Sequence, residues 1–204
     1  MVRVLILGTG GMAANHASAF AAIPGVEVVA GVDTRPEQLA EFNATHDIPR
    51  GFASVDEALA WGQFDAVANT TPDGAHYPTT MPLLAAGKHV LCEKSITLNS
   101  EELEEAVQLA KEHHVVLAEA MTIYHMPIYK ELKKRMDAGK FGELRVIQMN
   151  FGSYKEYDMQ NRFFNPNLAG GNPAYILRNL FLINFLRELS MDSRLRGNDV
   201  GRVI

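Results

Sequence analysis

Cysteine is nearly missing from this chain: among 204 residues there is one, Cys92. That excludes an intrachain disulfide and any thiolate-rich metal centre, and it fits a reducing compartment. Basic runs are lacking too. Lys and Arg total 19 against 24 Asp and Glu, a formal net charge of −5. The electrostatic footprint of a duplex nucleic-acid binder is therefore absent. Long apolar runs are also missing. The most apolar stretch, residues 175–189, is interrupted by Arg178, Asn179, Asn184, Arg187 and Glu188. It is shorter than the roughly 20 residues that span a bilayer. Residues 1–8 (MVRVLILG) run straight into a short strand, without the charged, apolar and small-residue regions of a signal peptide. These absences predict a cytoplasmic chain with no membrane and no nucleic-acid partner. What is present, 47% apolar and 21% charged residues, is enough to bury a core in one full domain plus part of a second.

Up to about residue 120, β-rich runs alternate with helical ones. Residues 2–7 are a continuous apolar run, followed by glycines and an alanine-rich helical stretch over 12–23. The pattern then predicts strand 26–32, helix 35–45, short helix 56–61, strand 66–70, helix 76–86 and strand 89–92. Asn99 and Ser100 suit the start of a helix reaching about His114, with Glu101 and Glu102 at its positive end. A fifth strand is expected over 115–118. Apolar strands alternating with helices indicate an α/β fold, a doubly wound parallel Rossmann sheet. After residue 120 the rhythm changes. An amphipathic helix over 127–138 is closed by Gly139, a long strand covers 144–152, and a polar, aromatic loop covers 153–171. Residues 172–204 hold an apolar helix and a charged end. The expected layout is a dinucleotide-binding domain at 1–120, the start of an incomplete α/β second domain at 121–171, and a helical tail at 172–204.

The chemistry concentrates at the first turn. Gly8-Thr9-Gly10-Gly11-Met12-Ala13 fits G-x-G-x-x-A directly after a strand and opens a helix. Gly8 permits the tight turn, Gly10 lets the backbone approach a pyrophosphate, and Ala13 lets the helix pack close on the sheet. The helix N-terminus favours the doubly charged pyrophosphate. Asp33, 20 residues beyond Ala13, ends the second strand, where an acid accepts hydrogen bonds from a ribose 2′-hydroxyl. With Thr34 beside it, Asp33 favours NAD. Arg35 offers a partner for a 2′-phosphate, so NADP stays open. Other chemistries fit poorly. There is no Walker loop, no H-E-x-x-H and no G-x-S-x-G, and His113 and His114 point about 100° apart on a helix, so no metal site is expected. Cys92, at a strand end, reads as a small buried hydrophobe rather than a nucleophile.

Several strings in order give the chain a family likeness. They are the glycine turn with His16, Thr70-Thr71-Pro72 with His76, and Gly87-Lys-His-Val-Leu-Cys-Glu93-Lys94. Phe141-Gly-Glu-Leu-Arg145, and Asn161-Arg162-Phe-Phe164 before Gly170-Gly171, follow. Over residues 2–171 the chain resembles the Gfo/Idh/MocA oxidoreductases (glucose–fructose oxidoreductase, inositol dehydrogenase and relatives). The resemblance implies hydride transfer between nicotinamide and a sugar, polyol or related alcohol. It places Thr70, Thr71, Pro72, His76 and Glu93 with the cofactor. Lys94 becomes the catalytic group, its ammonium stabilising a developing alkoxide. Ser95 stands where the family's Glu-Lys-Pro has proline, which predicts a less rigid turn. Tyr124 and Arg162 are the candidate substrate contacts. His16 reads equally as a packing residue or a cofactor contact.

Past Gly171 the likeness stops. The stretch 172–180 holds no acid and no histidine where relatives carry both an Asp and a His or Tyr, and only Tyr175 titrates there. The reading is a chain truncated after about residue 171, with strand 144–152 short of partners. An unpaired edge and an open face favour association. A homo-oligomer through the second-domain sheet or the helix 175–189 is expected. The function read from the sequence is an NAD(P)-dependent dehydrogenase impaired by truncation. A dinucleotide-binding protein without turnover and a degenerate fragment are the competing readings.

Overall fold

The computed structural model describes residues 1–143. The expected strand 144–152, the loop 153–171 with Arg162, and the tail 172–204 with its helix 175–189 lie outside the described residues. The Cα framework divides between Ala120 and Met121 into two compact units.

The first unit alternates strand and helix. Its elements are β1 (Val2–Leu7), α1 (Gly11–Ala21), β2 (Val26–Val32), α2 (Pro36–Thr45), β3 (Gly51–Phe52) and α3 (Val55–Trp61). They continue with β4 (Ala66–Asn69), α4 (Asp73–Ala85), β5 (His89–Cys92), α5 (Ser100–Glu112) and β6 (Leu117–Glu119). The strands form one sheet in the order β3-β2-β1-β4-β5-β6, and every described pairing is parallel. This is the doubly wound arrangement, with its switch of direction between β1 and β4. Side chains alternate across the sheet. Val4 and Ile6 pack on one face with Ala13 and Ala17 of α1 and Phe42 of α2. Leu5 and Leu7 pack on the other with Phe64, Leu83, Leu84 and Val90. Burial on both faces is why these strands read as unbroken apolar runs. Each such Leu or Ile contributes about 1.5–3 kcal/mol on burial.

Three elements depart from the sequence reading. β3 was not anticipated: two residues carry no periodicity, and the strand exists because Gly31 and Val32 of β2 pair with Gly51 and Phe52. The α4 helix starts at Asp73 rather than 76, behind Pro72, and holds Pro78 and Pro82 inside it. The last strand begins at Leu117, not 115. His114 adopts φ 54° and Val115 N–H donates to Ala110 O at 3.0 Å, so Val115 belongs to the closing turn of α5.

The second unit, over its described residues, consists of a 3₁₀ turn (Thr122–Tyr124) and helix α6 (Pro127–Asp137). Proline at the first turn of α6 suits its start. Tyr129 is buried in a small cluster with Ile123, Leu132 and Met136.

Candidate functional site

The carboxyl edge of the sheet gathers the turns that follow β1, β2, β4, β5 and β6. At the first of them Gly8 has φ +82°, and a Cβ there would sit 3.0 Å from Thr71 N and 3.1 Å from Thr70 O. Both the left-handed backbone and the close approach of the β4 turn require glycine. Gly8 N–H donates to Val32 O at 2.8 Å, and Thr70 Oγ1 donates to Gly8 O at 2.6 Å. Thr70 therefore braces the glycine turn with its hydroxyl. Gly10 is different: its φ is −77°, and a Cβ at Gly10 or Gly11 would meet nothing within 4 Å. Behind this bare backbone the N-terminus of α1 has no side-chain cap and no acid in its first turn. Ala13, fully buried, seats the helix on the sheet. Met12 is exposed beside it. An open cradle of backbone at an uncapped helix start fits a dinucleotide pyrophosphate.

Asp33 sits at the end of β2 with little exposure, and its carboxylate faces into the turn. Thr9 donates to Asp33 Oδ2 from both N–H and Oγ1, each at 2.8 Å. Arg35 donates from N–H and Nε to Oδ1 at 3.0 Å, and from Nη2 to Oδ2 at 3.1 Å. Burial works against ionisation, but the hydrogen bonds from Arg35 and Thr9 outweigh it and hold the carboxyl well below the usual range. Thr34 is exposed beside this pair. Gln38 of α2 closes the turn from outside by donating to Thr9 O at 2.7 Å. The expectation of a freely accepting Asp33 thus changes: its acceptors are already engaged by Thr9 and Arg35.

At the β4 end, fully buried Asn69 organises the Thr70-Thr71-Pro72 turn. Its Oδ1 accepts from Thr71 Oγ1 at 2.7 Å, and its Nδ2 donates to Thr79 Oγ1 at 2.9 Å and Thr80 Oγ1 at 3.1 Å. Pro72 is exposed at the N-cap of α4. His76, expected to touch the cofactor, is fully buried. Its Nδ1 lies 2.6 Å from Ser95 O and its Nε2 2.8 Å from Thr71 O. Both ring nitrogens are engaged within the protein, so the structure gives His76 the place of a tie between two loops.

Glu93 and Lys94 follow β5. Glu93 is 7% exposed. His16 of α1 reaches it, Nε2 to Oε1, at 2.9 Å, and Lys94 Nζ lies 3.8 Å from Oε2. Burial raises the Glu93 pKa, but the His16 hydrogen bond and the Lys94 and His16 charges prevail, leaving it lowered. Lys94 itself is part-exposed at the loop, and the Lys94–Ser95 peptide is cis. Glu119, at the end of β6, accepts from Ile96 N–H at 3.0 Å, and burial raises its pKa. Cys92 is buried, which pushes its thiol far up and leaves it an unreactive neutral hydrophobe. Tyr124 is 40% exposed in the second unit.

Four polar residues here were missed in the sequence: Gln38, Asn69 and Glu119, and His16 as the partner of Glu93. Only His16 carried a signal, its place one turn after Ala13 on the helix.

A family model described as "Oxidoreductase family, NAD-binding Rossmann fold" matches residues 2–121. The scyllo-inositol 2-dehydrogenase (NADP(+)) IolU of Bacillus subtilis (strain 168) is 33% identical over 178 residues, covering 84% of this chain and 54% of that protein. Among solved structures, the WlbA dehydrogenase from Bordetella pertussis, in complex with NADH and UDP-GlcNAcA, superposes with a TM-score of 0.66 at 30% identity. It covers 69% of this chain and 41% of its own. The scyllo-inositol dehydrogenase from Lactobacillus casei, with bound NAD(H) and scyllo-inositol, gives a TM-score of 0.66 at 26% identity, covering 70% of this chain and 43% of its own. The chain spans about half the length of the curated relatives it matches, 54% for IolU. With the family model covering more than half of the chain, over the residues that build the glycine turn and the Glu93-Lys94 loop, this protein belongs to the Gfo/Idh/MocA oxidoreductase family.

Proposed function

We propose that this chain is an NAD(P)-dependent dehydrogenase that moves a hydride between a nicotinamide and an alcohol carbon of a sugar, polyol or related alcohol. The observation that carries the reading is the bare Gly10–Gly11 backbone at the uncapped start of α1, on the sheet edge that also bears Lys94. Gly8, Thr9, Gly10, Gly11, Met12 and Ala13 shape the pyrophosphate seat. Thr70, Thr71 and Pro72 form its far wall. Bound there, the nicotinamide would supply the hydride acceptor or donor. Lys94 would hold the substrate oxygen, its ammonium steadied by Glu93, and stabilise the alkoxide as the carbon–hydrogen bond breaks. Residues 121–171 would begin the substrate and oligomerisation domain, with Tyr124 and Arg162 reaching the substrate and 172–204 as an appended tail. The titles of the inositol dehydrogenase relatives support a polyol substrate, and the composition supports a cytoplasmic homo-oligomer.

A second reading, dinucleotide binding without turnover, is favoured by residues 172–180, which hold no acid and no histidine. One experiment separates the two. Calorimetric titration with NADH should show micromolar binding that Gly10→Val abolishes and Asp33→Ala weakens. An accompanying polyol-dependent NAD reduction should lose about 10²-fold or more in Lys94→Ala. Binding without any Lys94-dependent turnover would favour the second reading, and no binding would reject both.

A further inference from the structure

Asp33 stands where a ribose hydroxyl would look for an acceptor, yet its capacity is spent. An ionised carboxylate offers about four lone-pair sites. This one receives two hydrogen bonds from Thr9 and three from Arg35. The Thr9 donors belong to the buried glycine turn, and one Arg35 donor is its own backbone N–H. Only the guanidinium is free to leave. The Arg35 side chain is 63% exposed, against 5% for Asp33.

We propose that Arg35, latched on Asp33, sets the coenzyme preference of this chain: it closes the ribose acceptor to a free 2′-hydroxyl and offers a two-pronged receptor to a 2′-phosphate. The phosphorylated dinucleotide is therefore accepted alongside the plain one. The proposal rests on the dehydrogenase reading only in requiring a dinucleotide at the glycine turn. A plain ribose must open the Arg35–Asp33 pair and finds no replacement partner for the guanidinium. A 2′-phosphate exchanges one anion for another, and the planar fork keeps two charge-assisted bonds. Asp33 retains Thr9 N–H, Thr9 Oγ1 and Arg35 N–H as donors when the guanidinium swings out, so its charge stays compensated.

The test is a fluorescence titration of the full chain with NADH and with NADPH, for the unaltered protein, Arg35→Ala and Arg35→Lys. The unaltered chain should bind both, with dissociation constants within about tenfold of each other. Arg35→Ala should tighten NADH about two- to fivefold, the release of an exposed ion pair. It should weaken NADPH about tenfold or more, the loss of hydrogen bonds to a charged group. Arg35→Lys keeps the charge without the fork and should fall between them on NADPH. NADPH binding should also decline more steeply with salt in the unaltered chain than in Arg35→Ala. Opposite shifts for the two dinucleotides are what a merely loop-bracing arginine would not produce. Shifts in the same direction, or NADH binding with no NADPH binding, would overturn the latch and leave the dehydrogenase reading standing. Failure to bind either dinucleotide would overturn both.

Discussion

Two glycines one residue apart carry opposite loads. Gly8 has φ +82° and lies against the Thr70–Thr71 backbone, whereas Gly10 has an ordinary extended backbone and nothing near its Cβ position. Gly8→Ala should therefore destabilise the fold by about 1–3 kcal/mol, read as a lower urea midpoint. Gly10→Val should leave the midpoint of the ligand-free protein unchanged and remove dinucleotide binding. The same turn has a pH signature. Asp33 titrates below its unfolded value near 3.9, and Asp65, bonded by the Arg3 side chain and backbone N–H, is held at about 2. Depressed folded values mean the unfolded state binds more protons in this range. Their stabilisation is complete above about pH 5 and is lost as pH falls through 4 towards the folded values. Urea midpoints at pH 7, 4 and 3 should fall less steeply in Asp33→Asn than in the unaltered chain. A parallel slope would show that Asp33 is not held in this way. Gly8, Gly10 and Asp33 were legible because a local motif names them. Gln38 and Asn69 were not, because each acts on partners that only the folded chain brings near: Gln38 on Thr9, 29 positions away, and Asn69 on the far turn of α4.

At the scale of elements, caps and turns decide where the pattern starts and stops. Asn99 was legible as a cap, and its Oδ1 accepts Glu102 N–H at 2.8 Å. Asn99→Ala should cost about 1 kcal/mol and Asn99→Asp much less, both measured by thermal unfolding. Ser54 does the same for α3, accepting Glu57 N–H at 3.2 Å while Glu57 reaches back to Ala53 N–H at 2.9 Å. That reciprocal box sits at the head of a helix that was read one residue short. Strands β2 and β5 matched their expected bounds because their apolar runs end at polar or charged residues. The last strand was shifted because Val115 and Val116 have the composition of a strand, yet the left-handed His114 commits Val115 to the end of α5. Local preference cannot separate a valine that closes a helix from one that opens a strand.

For the whole first unit, the consequence of the site is thermodynamic coupling. A ligand that binds only the folded state at 100 times its dissociation constant adds about 2.7 kcal/mol of stability. NADH at that ratio should raise the thermal midpoint of the unaltered chain and leave Gly10→Val unmoved; equal midpoints in the unaltered chain would place the dinucleotide elsewhere. The amino-acid sequence by itself determined the α/β class, the order of most strands and helices, and the glycine turn. These are written in contiguous residues, as apolar runs, helix starts and a six-residue motif. The tertiary structure alone decided that β4 lies beside β1, that Thr70 braces Gly8, that His16 reaches Glu93 and that Arg35 occupies Asp33. Each of those depends on how a particular side chain or strand is oriented after packing, and on which acceptor remains within about 3 Å once burial has removed water as a partner. No local stretch of sequence encodes that competition.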